Sequence, residues 1–201
     1  MAANDSPLTI ANLALLDLGE EPISAIFPPD GSDRAAKAAL YYHNVRRQVL
    51  RDGLWGCAKR DVLLAASTVT PPFGWGNAYP LPADYLRIVD SPEDFYWGRV
   101  GRRRVRNLAN VGPCLLTPDA APYRLTYIFD LQDCTQMTAD LVMTIAKSLA
   151  AALAIPLAKD LQIKQDMEAA REGMLAVART TSAQENAAVE WDVDVLLRSR
   201  F

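Results

Sequence analysis

Residues 32–55 read SDRAAKAALYYHNVRRQVLRDGLW, one long helical period with a defined start and stop. Ser32 is placed to cap a helix beginning at Ser32 or Asp33, and Gly53 ends it just after Asp52. Ala38, Tyr42, Val45 and Val49 recur at helical spacing, with Arg46, Arg47 and Arg51 expected on other faces. Its alanines permit close approach of another helix. Upstream, Ser6 followed by Pro7 marks an earlier helix, since proline at the first helical position loses no hydrogen bond. Leu8, Ala11, Leu15 and Leu18 share one face there, and Gly19 supplies the stop. Glu21-Pro22 bars continuation, and Phe27 to Gly31 reads as an irregular connection.

Downstream of Leu54 the period changes. Trp55, Cys57 and Val62-Leu63-Leu64 predict extended chain, and a Pro/Gly/aromatic loop follows from Pro71 to Pro82. Asp84 to Asp130 reads as a β-rich insertion whose clearest strand is Tyr123 to Phe129, where Tyr123, Leu125, Tyr127 and Phe129 alternate with Arg124, Thr126 and Ile128. Helix returns near Thr138 and runs through Met143, Ala146, Ala150 and Leu153 until Pro156 kinks or ends it. A further helix is predicted from Leu157 to Thr181, with Asp160 and Lys164 as an opposed pair and Glu168 and Glu172 as a like pair. The fold class expected is α+β but mainly α: a helical bundle with an inserted β-rich subdomain and an extended C-terminal arm. Residues 1–60 and 131–182 form the bundle, 61–130 the insertion and 183–201 the arm.

The totals fit a globular chain. Its 201 residues are 50% hydrophobic and 22% charged, enough to bury a core in one domain or in a domain plus a subdomain. A net charge of -3 argues against a protein whose main task is coating nucleic acid. Cys57, Cys114 and Cys134 are odd in number and lack the C-x-x-C pairing of metal or redox sites, so a reduced intracellular protein is expected. The first residues show no basic and apolar pattern of a secretory signal. Leu149 to Ala158, the longest uncharged apolar stretch, falls short of the roughly 20 residues that span a bilayer. No membrane association is expected.

No catalytic, cofactor or metal constellation emerges. His43, the only histidine, has no nearby cysteine or carboxylate set, so it reads as a structural or surface residue. The glycines around Trp55 and Trp75 lack the lysine and Ser/Thr of a phosphate loop and read as turns beside buried tryptophans. Glu190, Asp192 and Asp194 lack the glycine and distal glutamate of a calcium loop and read as a solvated acidic strip. The sharpest charge is the run Arg99, Arg102, Arg103, Arg104 and Arg106, next to the aromatics Phe95, Tyr96 and Trp97. Arginines so placed suit phosphates, a solvated hairpin or acidic groups on a neighbouring subunit, and all three remain open. Trp191, Leu196, Leu197 and Phe201, with Arg198 and Arg200, put large apolar groups at a chain end where little polypeptide remains to cover them. Docking onto another protein is the preferred explanation.

The order of signals resembles a known family. Leu18 to Ile23, Tyr41 to Trp55, Lys59-Arg60 and Tyr79 to Arg87, supported by Leu125-Thr126-Tyr127 and the alanine-rich helix before Leu157, resemble the tail tubular protein A family, the head-to-tail adaptors of short-tailed bacteriophages. The resemblance implies a non-enzymatic virion protein of the tail or neck, made in the host cytoplasm. It further implies a homo-oligomeric ring, usually of twelve copies, between the portal and the tail nozzle, with double-stranded DNA passing non-specifically through its channel. The arm from about Gln184 to Phe201 would then reach the portal, and the insertion with Arg99 to Arg106 would face the nozzle or neighbouring subunits. The alternative is a DNA-binding packaging component resembling a small terminase subunit, which would use the arginines to hold DNA.

Overall fold

The computed structural model describes residues 6–90 and 101–185. Its elements are α1 (Pro7–Asp17), α2 (Asp33–Asp52), β1 (Lys59–Leu64), β2 (Asn77–Pro80), β3 (Tyr85–Val89), β4 (Arg104–Leu108), β5 (Gly112–Thr117), β6 (Tyr123–Phe129), α3 (Ala139–Leu153) and α4 (Leu161–Glu185).

Local chemistry sets the first two helices. The Ser6 hydroxyl accepts the Thr9 N–H at 3.1 Å, and the Ser32 hydroxyl accepts the Ala35 N–H at 3.2 Å. Gly19 stops α1 in the left-handed region, at φ +72°. Asn12 then ties the following loop to the helix, donating to the Ile23 carbonyl at 3.1 Å and accepting the Ile23 N–H at 2.8 Å. Gly53 ends α2 for a different reason. Trp55 folds back so that its indole N–H donates to the Val49 carbonyl at 2.9 Å, and a Cβ on Gly53 would lie 2.3 Å from that nitrogen.

α3 is the centre of the helical layer, packed against α1, α2 and α4. It is buried over most of its circumference, with Asp140 and Met143 exposed and Lys147 half-buried on the remaining stripe. Thr144 and Ser148 are also buried there, and their hydroxyls donate to the Asp140 and Thr144 carbonyls, each at 2.7 Å. Together with the π-helical turn Ala154–Ala158, α3 makes 20 residues of mean hydropathy 1.9, long and apolar enough by composition to cross a membrane. The expectation of a shorter stretch missed this because it stopped at Lys147. In the fold, Lys147 pairs with Asp17 of α1 at 2.6 Å, and the helix forms the protein core. Pro156 does not end the helix: it opens the ladder into the π turn, which runs on until Lys159 takes a left-handed φ of +54°. Asp160 then caps α4 through the Gln162 N–H at 2.7 Å, which delays that helix from Leu157 to Leu161.

The strands form two three-stranded antiparallel sheets, ordered β1-β6-β3 and β2-β5-β4. β6 is the central strand of its sheet, buried on one face along most of its length and on the other only at Ile128. Tyr123, Leu125 and Tyr127 point into a cluster with Leu64, Tyr79, Leu81 and Leu115 between the sheets, while Ile128 joins the helical core. The layers therefore run helices, first sheet, second sheet.

A mainly α bundle with a β insertion is thus overturned. Helix accounts for 46% and strand for 21%, and the first sheet completes the helical core instead of hanging from it. β1 leaves α2 through Trp55 and Ala58, and β6 enters α3 through Leu131, Cys134 and Met137, all of them buried with the helices. β2 also lies inside the stretch expected to be loop, its Pro80 tolerated because β2 is an edge strand. The expected arm falls outside the described residues, except that α4 continues to Glu185.

Gly53→Ala should destabilise the fold by about 1–3 kcal/mol, the usual cost of overpacking, because the new methyl overlaps the Trp55 indole. Urea unfolding followed by tryptophan fluorescence measures it, and an unchanged midpoint would contradict the packing described.

Candidate functional site

Asp130 ends the central strand of the first sheet and binds two arginines of α2. Arg46 Nη2 donates to Oδ1 at 2.7 Å and Arg47 Nε to Oδ2 at 2.9 Å. Arg46 is 3% exposed, whereas the spacing placed it on a face other than that of Tyr42, Val45 and Val49. Its position four residues after Tyr42 and three before Val49 puts it on the same buried stripe, a signal present in the sequence. Burial alone would push the Asp130 carboxyl up, but the hydrogen bonds and charges of Arg46 and Arg47 outweigh it and hold the group below the usual carboxylate range.

A second group of charges surrounds the C-terminal end of α2. Arg51, Asp52, Arg87, Arg171, Glu172 and Leu175 line an open cleft of about 600 Å³ contributed by α2, β3 and α4. Arg171 pairs with Asp52, and Arg87 donates to the Arg51 carbonyl. The guanidinium of Arg51 has no hydrogen-bond or ion-pair partner among the described residues, nor does the Glu172 carboxylate. Nearby, Arg60 pairs with Asp84 at 2.6 Å and lies 3.9 Å above the Phe129 ring, where Asp84 also accepts the Tyr127 hydroxyl at 3.1 Å. No local sequence signal marks this cleft, because its arginines are far apart in the chain and singly placed.

The arginine run divides. Arg103 turns inward, pairing with Asp90 and donating to the Tyr123 hydroxyl at 3.1 Å. Arg102 lies exposed before β4, while Arg104 and Arg106 lie exposed on β4 itself, an edge strand. Through the pairs Arg104–Leu116 and Arg106–Cys114 these two share a sheet face with Trp75 and Leu108, which cover the small apolar cluster of Ala78, Cys114 and Leu116. Arg99, the aromatics 95–97, the acidic residues 190–194 and the arm residues Trp191, Leu196, Leu197, Arg198, Arg200 and Phe201 lie outside the described residues.

The remaining chemistry is quiet. His43 stacks on Phe27 at 4.8 Å, burial pushes the Cys114 thiol up, and the three cysteines carry no disulfide. Among the described residues no cluster of His, Cys, Asp or Glu is arranged to hold a metal ion. Large apolar side chains, however, stand out on several elements: Leu16, Leu40, Ile155, Leu161 and Val177 on the helical layer, and Leu63, Val69 and Phe73 at the sheet end. Phe73 is 97% exposed and sits at φ +58°, a conformation unusual for a bulky residue.

Asp130→Asn should cost about 3–5 kcal/mol near neutral pH, since it leaves Arg46 buried beside a neutral partner. The Asp130 contribution, from a carboxyl with a lowered folded-state pKa, is complete above the unfolded value and is lost as pH falls through the folded one. Urea midpoints against pH should therefore show a steep acid limb in the native chain and a shallower one in the variant; parallel limbs would show that Asp130 is not responsible.

No protein-family model matches the chain, and no curated protein matches it.

Proposed function

We propose that the chain is a structural virion protein, a head-to-tail adaptor of the tail tubular protein A kind. In this reading twelve copies close into a ring between the portal and the tail nozzle, and the particle's DNA passes through the opening. The chain works by shape and transforms no substrate. The distribution of uncovered apolar side chains carries the reading on the structural side. They occupy separate elements of the helical layer and the sheet end, and a closed ring repeats one heterologous contact that needs two different faces on every copy. The ordered sequence signals supply the particular family. Arg102, Arg104 and Arg106, exposed on or just before the edge strand β4 of the second sheet, fit a contact with the nozzle or a neighbouring subunit.

Those same arginines favour one competitor, a DNA-binding packaging component resembling a small terminase subunit. Electron microscopy of the chain mixed with the portal of the same particle should give an annulus beneath the portal. Deleting 191–201 should leave a folded chain, judged by circular dichroism, that no longer joins it. Retained docking would remove the arm's assignment. A gel shift with a duplex separates the readings: the adaptor is expected to bind weakly, whereas tight binding that falls steeply with salt supports the packaging component.

A further inference from the structure

Among the described residues β4 pairs with β5 on one side and has no strand on the other. Its two faces carry different chemistry. Arg104 and Arg106 share the outer face, about 6.7 Å apart as alternate residues of a strand, and Arg102 lies exposed two residues before them. None of the three has a hydrogen-bond or ion-pair partner among the described residues, and the groups across the sheet from Arg104 and Arg106 are the buried Leu116 and Cys114. Elsewhere in the chain carboxylates do reach Arg46, Arg60, Arg103 and Arg171. On the inner face Val105 lies opposite the fully buried Leu115 yet is itself 43% exposed, at the open margin of the layer between the sheets. We propose that β4 receives an added strand from a second polypeptide, one that carries carboxylates at alternate positions and apolar side chains between them. This deepens the contact assigned to these arginines above and rests on the adaptor reading for its source, the tail nozzle.

Edge, charge and apolar margin together select this occupant. An edge strand presents a row of backbone donors and acceptors that only another extended chain can match. Neighbouring strands share one repeat, so carboxylates on every second residue of the incoming strand fall beside Arg104 and Arg106, where opposite charges attract across the ladder. The alternate apolar residues then fall on the inner face and cover Val105 next to the cluster of Tyr79, Leu115 and Tyr123. A nucleic acid would meet the arginines but leave both Val105 and the backbone edge bare. A second copy of β4 is disfavoured as well. In any register that keeps Val105 inward it sets arginine beside arginine, the arrangement by which edge charges prevent self-pairing. The same two arginines therefore reject a like strand and accept an acidic one.

A synthetic eight-residue peptide alternating glutamate and valine, added to the full chain, tests this with neither portal nor nozzle present, so its failure is distinct from failure of the adaptor reading. Amide hydrogen exchange read by mass spectrometry should slow across residues 104–108 at about 1 mM peptide, because the added strand takes up the free edge. By fluorescence anisotropy, a labelled peptide of the same composition with glutamates and valines in separate blocks should bind about tenfold more weakly, since it has the charge without the alternation. The double variant Arg104→Glu, Arg106→Glu should lose the alternating glutamate peptide by about tenfold and bind instead the peptide with lysine in place of glutamate. If the double variant does not fold, judged by circular dichroism, exchange and the block peptide on the native chain still decide. Exchange at 104–108 that ignores the peptide overturns the proposal and leaves the arginines as guards of a bare edge. Equal binding of the block peptide also overturns it, reducing the site to charge alone. So does protection of 104–108 that grows with chain concentration in the absence of peptide, which gives the edge to a second copy, or a duplex that displaces the peptide and is released by the double variant, which gives it to nucleic acid.

Discussion

Asp130 is the point at which the two halves of this protein are fixed to each other. It ends β6, the one strand paired on both sides in the first sheet, and its carboxylate takes one arginine from the buried stripe of α2 and one from the adjacent open face. A buried carboxylate is tolerable only when its charge is met, and both oxygens are met here from a single helical turn. That requirement sets where the end of β6 can lie along α2. It also explains why Ile128, two residues earlier, falls into the helical core while Tyr127 faces the second sheet. The Arg46 Nε is left without a partner, so the geometry serves the carboxylate before the arginine.

The legible parts of the fold were those whose causes lie within a few residues. Ser6, Ser32, Gly19 and the alternation of β6 act locally, and each does in space what its position in the chain suggests. The parts that misled depend on partners distant in sequence. Arg46 could have been placed on the buried stripe by spacing, but the group that makes its burial possible is 84 residues away. Pro80 and the glycines around Trp75 hid β2, because an edge strand in a small sheet keeps few of the signals of a central one. The balance of helix and strand was misjudged for the same reason: β1, β3 and β6 looked like an insertion along the chain, yet they close the helical core.

The candidate surfaces show the same division. A dense run of arginines is easy to notice, but density does not say which side chains are available, and Arg103 is taken inward by Asp90 and Tyr123. The cleft of Arg51, Arg87 and Arg171 is the reverse case. Three unremarkable arginines from three elements become one feature only because α2 stops at Gly53 and α4 passes across its end. Charge that matters for recognition is thus produced by the fold as much as by composition, and a chain of net charge -3 can still present a locally positive cleft.

The tyrosine layer gives this arrangement its stiffness. Tyr79, Tyr123 and Tyr127 are fully buried between the sheets, with Tyr79 and Tyr123 at 5.3 Å, and each reaches a polar partner at its hydroxyl: Asp119, Arg103 and Asp84. Asp84 receives Tyr127 and Arg60 together, and its carbonyl accepts the Asp130 N–H at 2.8 Å, so the tyrosine layer and the Asp130 pairing meet at one loop. A displacement at the hairpin carrying Arg104 and Arg106 would therefore be passed through packed rings and hydrogen bonds toward α2, with no flexible linker on the way. This continuity allows the edge of the second sheet and the C-terminal half of α2 to hold a fixed spacing.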